Sequence, residues 1–212
     1  VVAAELCEDL MIPVPPSCYH AAAGATLIVN LSASNETVGK AEYRRRLVGV
    51  QSSKLLSAYV YANAGEDESG TDLVFSGHHM IAERGRILAE ALPFAGGGLI
   101  SAVVDVDMLL SERRKKNTYP TADAAAYRTV FFSITPRETE LKEGPSRSPF
   151  IPDDPAERDG RCRLILDMQA SALAGRIERA YVKSIVLGIS GGLDSTLAIL
   201  AAARAVDRLG LD

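Results

Sequence analysis

The sequence predicts an α/β protein in two parts: a layered α/β region over residues 1–116 and, over 161–212, the opening of a second α/β unit. Three observations predict this. Short β-branched apolar runs alternate with amphipathic stretches through the first hundred residues. Prolines 120, 136, 145, 149, 152 and 155 crowd the segment 117–160, with charges and serines between them, as in an interdomain linker. A last apolar run then delivers the chain to paired glycines, with a helical pattern directly behind them.

Taken in order, Val1 to Leu6 reads as a buried strand ending at Cys7, and Pro13, Pro15 and Pro16 break the stretch before a short helix, Tyr19 to Ala23. Thr26 to Leu31 is a second strand. Gly39 to Leu56 is helical, with Tyr43, Leu47 and Val50 at the i, i+4, i+7 spacing of a buried face. Ser57 to Ala62 is a strand again. Leu73 to Ser76, Met80 to Glu83 and Ile87 to Ala91 read as antiparallel strands with Gly85 at a turn; Leu99 to Val106 is a further strand, and Met108 to Lys116 a helix. Parallel followed by antiparallel pairing suits a layered sandwich better than a purely parallel sheet.

Within the linker, Arg128 to Ile134 is the one stretch with strand character. Beyond it, Leu166, Ala170, Leu173 and Ile177 share a helical face, Ser184 to Ile189 is a strand, and a helix runs from Leu193 to Arg208. This is the first strand–loop–helix of a Rossmann-like sheet. One such unit cannot bury both faces of its sheet, so the remaining strands are expected beyond Asp212. The first strand begins at once, which reads as a start within a domain, without the basic stretch of a signal peptide.

Composition narrows the function. A net charge of −4 offers no basic field for nucleic acid, and no apolar run approaches the roughly 20 residues that span a bilayer. Three cysteines without metal-site spacing or a secretion signal point to a reducing cytoplasm. His78-His79 lack a third ligand and project to opposite faces of a strand, so no metal site is expected. Arg44-Arg45-Arg46 reads as a mid-helix run that could face a subunit contact, and Arg113-Arg114-Lys115-Lys116 as cations favouring a helix C-terminus. Glu66-Asp67-Glu68 reads as a solvated loop.

Two stretches carry chemistry. In Ser190-Gly191-Gly192-Leu193-Asp194-Ser195, glycines let backbone N–H groups approach an anion, the following helix adds partial positive charge, and two serines supply hydroxyl donors. Neither a Walker A Gly-Lys-Ser/Thr nor a G-x-G-x-x-G is present. A tight βα turn in which Asp194 and Ser195 merely support the helix is the alternative. The string Gly188-Ile189-Ser190-Gly191-Gly192-Leu193-Asp194-Ser195 is similar to the pyrophosphate loop of N-type ATP pyrophosphatases, which adenylate a carbonyl oxygen and let an amine displace AMP. The resemblance implies that residues 188–195 hold the phosphates of ATP, escorted by Mg²⁺, with Asp194 either ordering the loop or placing the metal.

Cys7 sits where a strand meets a turn, an elbow at which a sulfur can project while a following N–H stabilises an oxyanion. Glu8 and Asp9 do not favour a thiolate, so the base or cation must come from elsewhere. Glu5-Leu6-Cys7-Glu8-Asp9-Leu10, followed by Asn30-Leu31-Ser32-Ala33-Ser34-Asn35-Glu36, resembles the nucleophile elbow and glutamine pocket of nitrilase-type amidases, in particular the glutaminase domain of glutamine-dependent NAD⁺ synthetases. Gly39 to Arg44, Ala58 to Ala62 and Asp72 to Gly77 are further similar stretches. The resemblance implies the C-terminal half of a nitrilase-like αββα sandwich over 1–116, a linker over 117–160, and the start of the synthetase domain over 161–212. It implies Cys7 as nucleophile and Ser34 and Lys40 as glutamine-binding residues, with the family's general-base Glu and its Lys upstream of Val1. It further implies glutamine, deamido-NAD⁺ and ATP as substrates, no prosthetic group, and a homo-oligomer. Without the partners of Cys7, which are typically worth on the order of 10²–10⁴-fold each, this stretch alone is expected to be an inactive glutaminase. The competing readings are another amidotransferase with the same loop, such as a GMP synthetase, whose glutaminase needs a His motif not found after Cys7, and a non-catalytic interaction piece.

Overall fold

In the computed structural model, which describes residues 1–68, 72–95, 98–135, 137–138 and 151–211, the chain divides into two units, 1–142 and 143–212. In the first, β1 (Val2–Leu6), β2 (Leu27–Ser32), β3 (Ala58–Asn63), β4 (His79–Glu83) and β5 (Arg86–Ala91) hydrogen-bond in that order into one sheet. The first three are parallel, linked by α1 (Pro16–Ala22) and α2 (Lys40–Leu55); β3, β4 and β5 are antiparallel. The expected α/β class, parallel first and antiparallel later, is what the sheet shows. Arg84 (φ 52°) and Gly85 (φ 88°) turn β4 into β5, both left-handed as a two-residue hairpin demands.

Alternation decides which residues meet the helices. Ala3, Ile28, Tyr59, Tyr61, Met80, Ala82 and Ile87 cluster with Leu10, Leu47 and Val48, while Val2, Leu6 and Leu31 on the other face are 46%, 60% and 60% exposed. The buried face of α2 differs from expectation. Tyr43 and Val50 are exposed, and Arg44, Val48, Ser52 and Leu55 are buried instead. Polar members can line this face because each has a partner: Ser52 Oγ, for example, donates to Gly49 O (2.9 Å) and accepts from Gly85 N (3.0 Å).

α3 (Val106–Lys115) begins with Asp105 accepting from Met108 N (2.9 Å). Arg113 is no solvated cation. It is 8% exposed, donating through Nη2 to Ala25 O (2.6 Å), Leu55 O (3.1 Å) and Ser57 Oγ (2.6 Å), and through Nε to Leu56 O (3.0 Å). Tyr119 stacks on the guanidinium at 5.1 Å, and its hydroxyl donates to Leu55 O (2.6 Å). Farther along, Ala122 N donates to Ala22 O (3.0 Å), and Tyr127 OH lies 3.0 Å from His20 Nδ1. Residues 119–127 of the proline-rich segment are thus tied to the first unit.

In the second unit, α4 (Pro155–Arg179) starts earlier than the sequence suggests, with Pro155 at its first position and Asp154 accepting from Glu157 N (3.1 Å). Ala170, Ala174 and Ile177 pack against Ala205 of α5 (Leu193–Leu209), the shared face expected from Leu166 to Ile177.

Four expected strands are absent. Residues 73–76, 99–105, 128–134 and 184–189 are not strands in the structure, and Val106 belongs to α3. Apolar β-branched runs acquire a ladder only beside a partner, and among the described residues the sheet ends at β5. Leu99, Phe131 and Val186 are accordingly more than 90% exposed. Linker positions 136 and 139–150 lie outside the described residues.

Candidate functional site

The carboxyl ends of three parallel strands, where open α/β sheets place ligands, carry Cys7, Ser34 and Asn63. Cys7 leaves β1 with φ 47°, a left-handed conformation uncommon for a residue with a Cβ, and opens a 3₁₀ turn over Cys7–Met11. The elbow is pinned on both sides: Leu6 N donates to Asp9 Oδ2 (2.8 Å), and Asn30 Nδ2 donates to Cys7 O (3.3 Å). The thiol is half-buried and free, so it is not sealed in packing.

Beneath the elbow lies a polar layer that the sequence does not announce. Glu5, 2% exposed, accepts from the Tyr59 hydroxyl and from Ser17 N (2.8 Å). Asn30 Nδ2 also donates to Tyr59 OH (3.1 Å), and Asn30 Oδ1 accepts from Ser32 Oγ (2.6 Å). Gln51 Nε2 donates to Ser17 Oγ (2.8 Å). Burial, reinforced by Glu5, pushes the Tyr59 phenol far above its ordinary range, so it stays a neutral donor to the buried carboxyl. The available signal was a Glu in the apolar strand Val2–Leu6 beside an Asn in Leu27–Ser32, which are register partners.

Ser34 is 4% exposed and clamped by Asn63, whose Oδ1 accepts from Ser34 N (2.8 Å) and whose Nδ2 donates to Ser34 O (3.0 Å). Lys40 Nζ donates to Asn35 Oδ1 (2.7 Å) on the same loop. Burial raises the Tyr61 phenol, which feels the Ser32 and Ser34 hydroxyls, Arg44 and Cys7. Ser34 and Cys7 are therefore both neighbours of Tyr61, while Lys40 is held one residue away from Ser34.

The loop bearing Ser34 continues into a buried charge network. Arg44, fully buried, pairs with Glu36, which also accepts from Ser76 Oγ (2.6 Å). Arg44 Nε donates to His78 Nδ1 (3.3 Å), so the His78 proton sits on Nε2 and faces Glu90 Oε1 at 2.7 Å. Arg45 joins Glu90 to Glu42. Asn63 N donates to His79 Nδ1 (3.1 Å), so both histidines serve protein hydrogen bonds. Among the described residues no group of three or more His, Cys, Asp or Glu is arranged to hold a metal.

Burial, opposed by Glu90, lowers the pKa of His78 below its usual 6.5. Below about pH 6.5 the unfolded chain binds a proton that the folded chain refuses, so stability falls as pH drops from 7 toward 5. His78→Gln keeps both hydrogen bonds without titrating. Denaturant titrations at pH 7 and 5.5 should show a smaller pH difference for the variant; an unchanged difference would mean His78 contributes nothing to it.

In the second unit, residues 188–195 form an exposed loop ahead of α5. Gly191 has φ 81°, and a Cβ on it or on Gly188 would meet nothing within 4 Å, so their backbone faces open space. Ser190 Oγ accepts from Gly192 N (3.4 Å) and lies 3.5 Å from Ser195 Oγ; Ser195 Oγ and Thr196 Oγ1 donate to Gly192 O (3.0 and 2.9 Å). Asp194 stands in the first turn of a 17-residue helix.

No family model matches the chain. It is 42% identical over 219 residues to a glutamine-dependent NAD⁺ synthetase of Mycobacterium leprae, covering 99% of this chain and 32% of the relative. Among solved structures, a glutamine-dependent NAD⁺ synthetase of Acinetobacter baumannii, in complex with ADP, matches 97% of this chain and 31% of its own at 20% identity and TM-score 0.46. A nitrilase-superfamily member of Saccharomyces cerevisiae matches 55% of this chain and 42% of its own at 22% identity and TM-score 0.47. Relatives that are glutamine-dependent NAD⁺ synthetases thus match the chain from end to end at 41–42% identity, and the chain spans about a third of their length.

Proposed function

We propose that the full-length protein carrying this chain makes NAD⁺ from deamido-NAD⁺, using glutamine as nitrogen donor and ATP as activating agent. The observation that carries the reading is the half-buried Cys7 on its left-handed elbow, in a chain that also bears an open glycine loop at a helix N-terminus. Cys7 Sγ attacks the side-chain amide carbon of glutamine; the C–N bond breaks, ammonia leaves, and water then hydrolyses the glutamyl thioester to glutamate. Ser34 and Lys40 orient the glutamine. Backbone N–H groups of residues 188–195, with Ser190 and Ser195, cradle the phosphates of the ATP–Mg²⁺ complex. The deamido-NAD⁺ carboxylate displaces pyrophosphate to form an acyl-adenylate, and ammonia displaces AMP. The reading includes a homo-oligomer and a cytoplasmic location. The three free cysteines suit a reducing compartment, and no helix among the described residues is long and apolar enough to cross a membrane. Supplied with glutamine, ATP, Mg²⁺ and deamido-NAD⁺, the full-length protein should yield NAD⁺, glutamate, AMP and pyrophosphate in equal amounts. Failure to form NAD⁺ would refute the assignment.

The phosphate loop has its own test. A Cβ at Gly191 meets no atom but strains a left-handed backbone by about 1 kcal/mol, so Gly191→Ala should reshape the loop without unfolding α5. The KM for ATP should rise about tenfold or more, the equivalent of losing one or two phosphate hydrogen bonds. ATP–pyrophosphate exchange unaffected by this substitution would leave the loop as a turn only.

A further inference from the structure

The loop between β2 and α2 carries Ser34 and Asn35, and Glu36 fastens it to the buried interior. Glu36 N donates to Val74 O (2.7 Å), its carboxylate accepts from Ser76 Oγ (2.6 Å), and the same Oε2 pairs with Arg44. Arg44, fully buried on α2, donates through Nε to His78 Nδ1 (3.3 Å). His78 is fully buried too, and its Nε2 faces Glu90 Oε1 on β5 at 2.7 Å. One imidazole is thereby linked, through Arg44 and Glu36, to the loop that carries Ser34.

This arrangement accepts one protonation state of the ring. A guanidinium has N–H groups to give and nothing to accept with, so Nδ1 must be bare where Arg44 Nε meets it. A proton on Nδ1 sets two donors and two cations face to face inside the protein, where repulsion is weakly screened. Glu90 accepts from Nε2 in either state, so the conflict falls on Arg44. The charged groups around the ring are Arg44 and Arg45 from α2, Glu90 from β5 and Glu36 from the loop. Burial, with both arginines behind it, keeps the ring neutral near pH 7 against the pull of Glu90. When acid does load the ring, Arg44 withdraws from it, and the grip on Glu36 changes with that movement.

We propose that His78 is a positioning residue for glutamine hydrolysis: with Nδ1 bare it seats Arg44 against Glu36 and orders the Ser34–Asn35 loop, and with a proton it loosens that loop and weakens glutamine binding. The inference rests on the glutamine-hydrolysing reading, and it concerns a side chain that touches no substrate in that reading.

The test measures KM and kcat for glutamine in the full-length protein from about pH 7.5 down to 5.5, the range in which histidines titrate. His78→Gln is the comparison, because its amide offers oxygen to Arg44 and N–H to Glu90 at every pH. NAD⁺ formation from added ammonia is the control. At the upper pH the two proteins should agree in KM within about twofold; at the lower, the wild-type KM should exceed that of the variant by about fivefold or more, part of what one charge-assisted hydrogen bond is worth. The kcat and the ammonia-driven rate should follow the same course in both. Should His78→Gln fold poorly, Glu36→Gln carries the test: it keeps an acceptor for Ser76 Oγ but removes the charge that Arg44 grips. Its glutamine KM should already be raised about fivefold at the upper pH and should change less in acid. Wild-type protein that hydrolyses no glutamine at the upper pH would overturn the underlying reading. Glutamine hydrolysis in which wild type and His78→Gln share one KM profile, or in which Glu36→Gln keeps that of wild type, would overturn the positioning role alone. So would a rise in KM matched by an equal loss of ammonia-driven turnover, which is the mark of unfolding.

Discussion

Cys7→Ala in the full-length protein should remove glutamine-driven NAD⁺ formation, by on the order of 10⁴-fold or more, while NAD⁺ formation from added ammonia persists. The size follows from deleting the only atom able to form the thioester, since loss of a nucleophile typically eliminates nearly all covalent catalysis. The selectivity follows from chemistry: ammonia needs no amide hydrolysis and meets the acyl-adenylate directly. Parallel assays with the two nitrogen sources read the result. Equal loss with both would show that position 7 supports the fold and not the thioester.

Arg113→Met should lower the stability of the first unit by about 3 kcal/mol or more. The guanidinium serves the carbonyls of Ala25, Leu55 and Leu56 and the Ser57 hydroxyl, which join the ends of α1 and α2 to β2 and β3. Methionine fills most of the volume but removes the charged donor from all four oxygens, leaving Leu55 O the Tyr119 hydroxyl (2.6 Å) and Ala25 O only the longer Ser57 Oγ contact (3.4 Å), at about 1–3 kcal/mol for each buried acceptor left unpaired. Burial lowers the pKa of Arg113, yet guanidinium remains charged across any accessible pH, so the loss should not depend on pH. Urea titration provides the measurement. A change within 0.5 kcal/mol would show that water replaces the side chain.

The sheet was legible because its strands carry their own signal. Val2–Leu6, Leu27–Ser32 and Ala58–Asn63 are apolar runs with helices between them, and Gly85 marks the hairpin. The same signal over-predicted strands at 73–76, 99–106, 128–134 and 184–189, since local apolarity says nothing about whether a neighbouring strand exists. The α2 face was misassigned for a related reason. Arg44 and Ser52 are buried because Glu36, His78 and Gly85 satisfy them, and those partners are 8 to 34 positions away. Arg113 in its charge run was missed likewise: four oxygens from two distant segments keep it inside. At the candidate site, Cys7 and the loop 188–195 stood out as motifs. Glu5, Tyr59, Asn30 and Tyr61 did not, because each reads as an ordinary strand residue until register sets them side by side.

The backbone at position 7 has a consequence for how this protein can be improved. A left-handed φ favours glycine over any side-chain-bearing residue by about 1 kcal/mol, so cysteine is locally a poor choice there. Selection for heat resistance alone would drift toward glycine at position 7, and selection for turnover would pull back to sulfur. Robustness and reactivity compete at a single Cα.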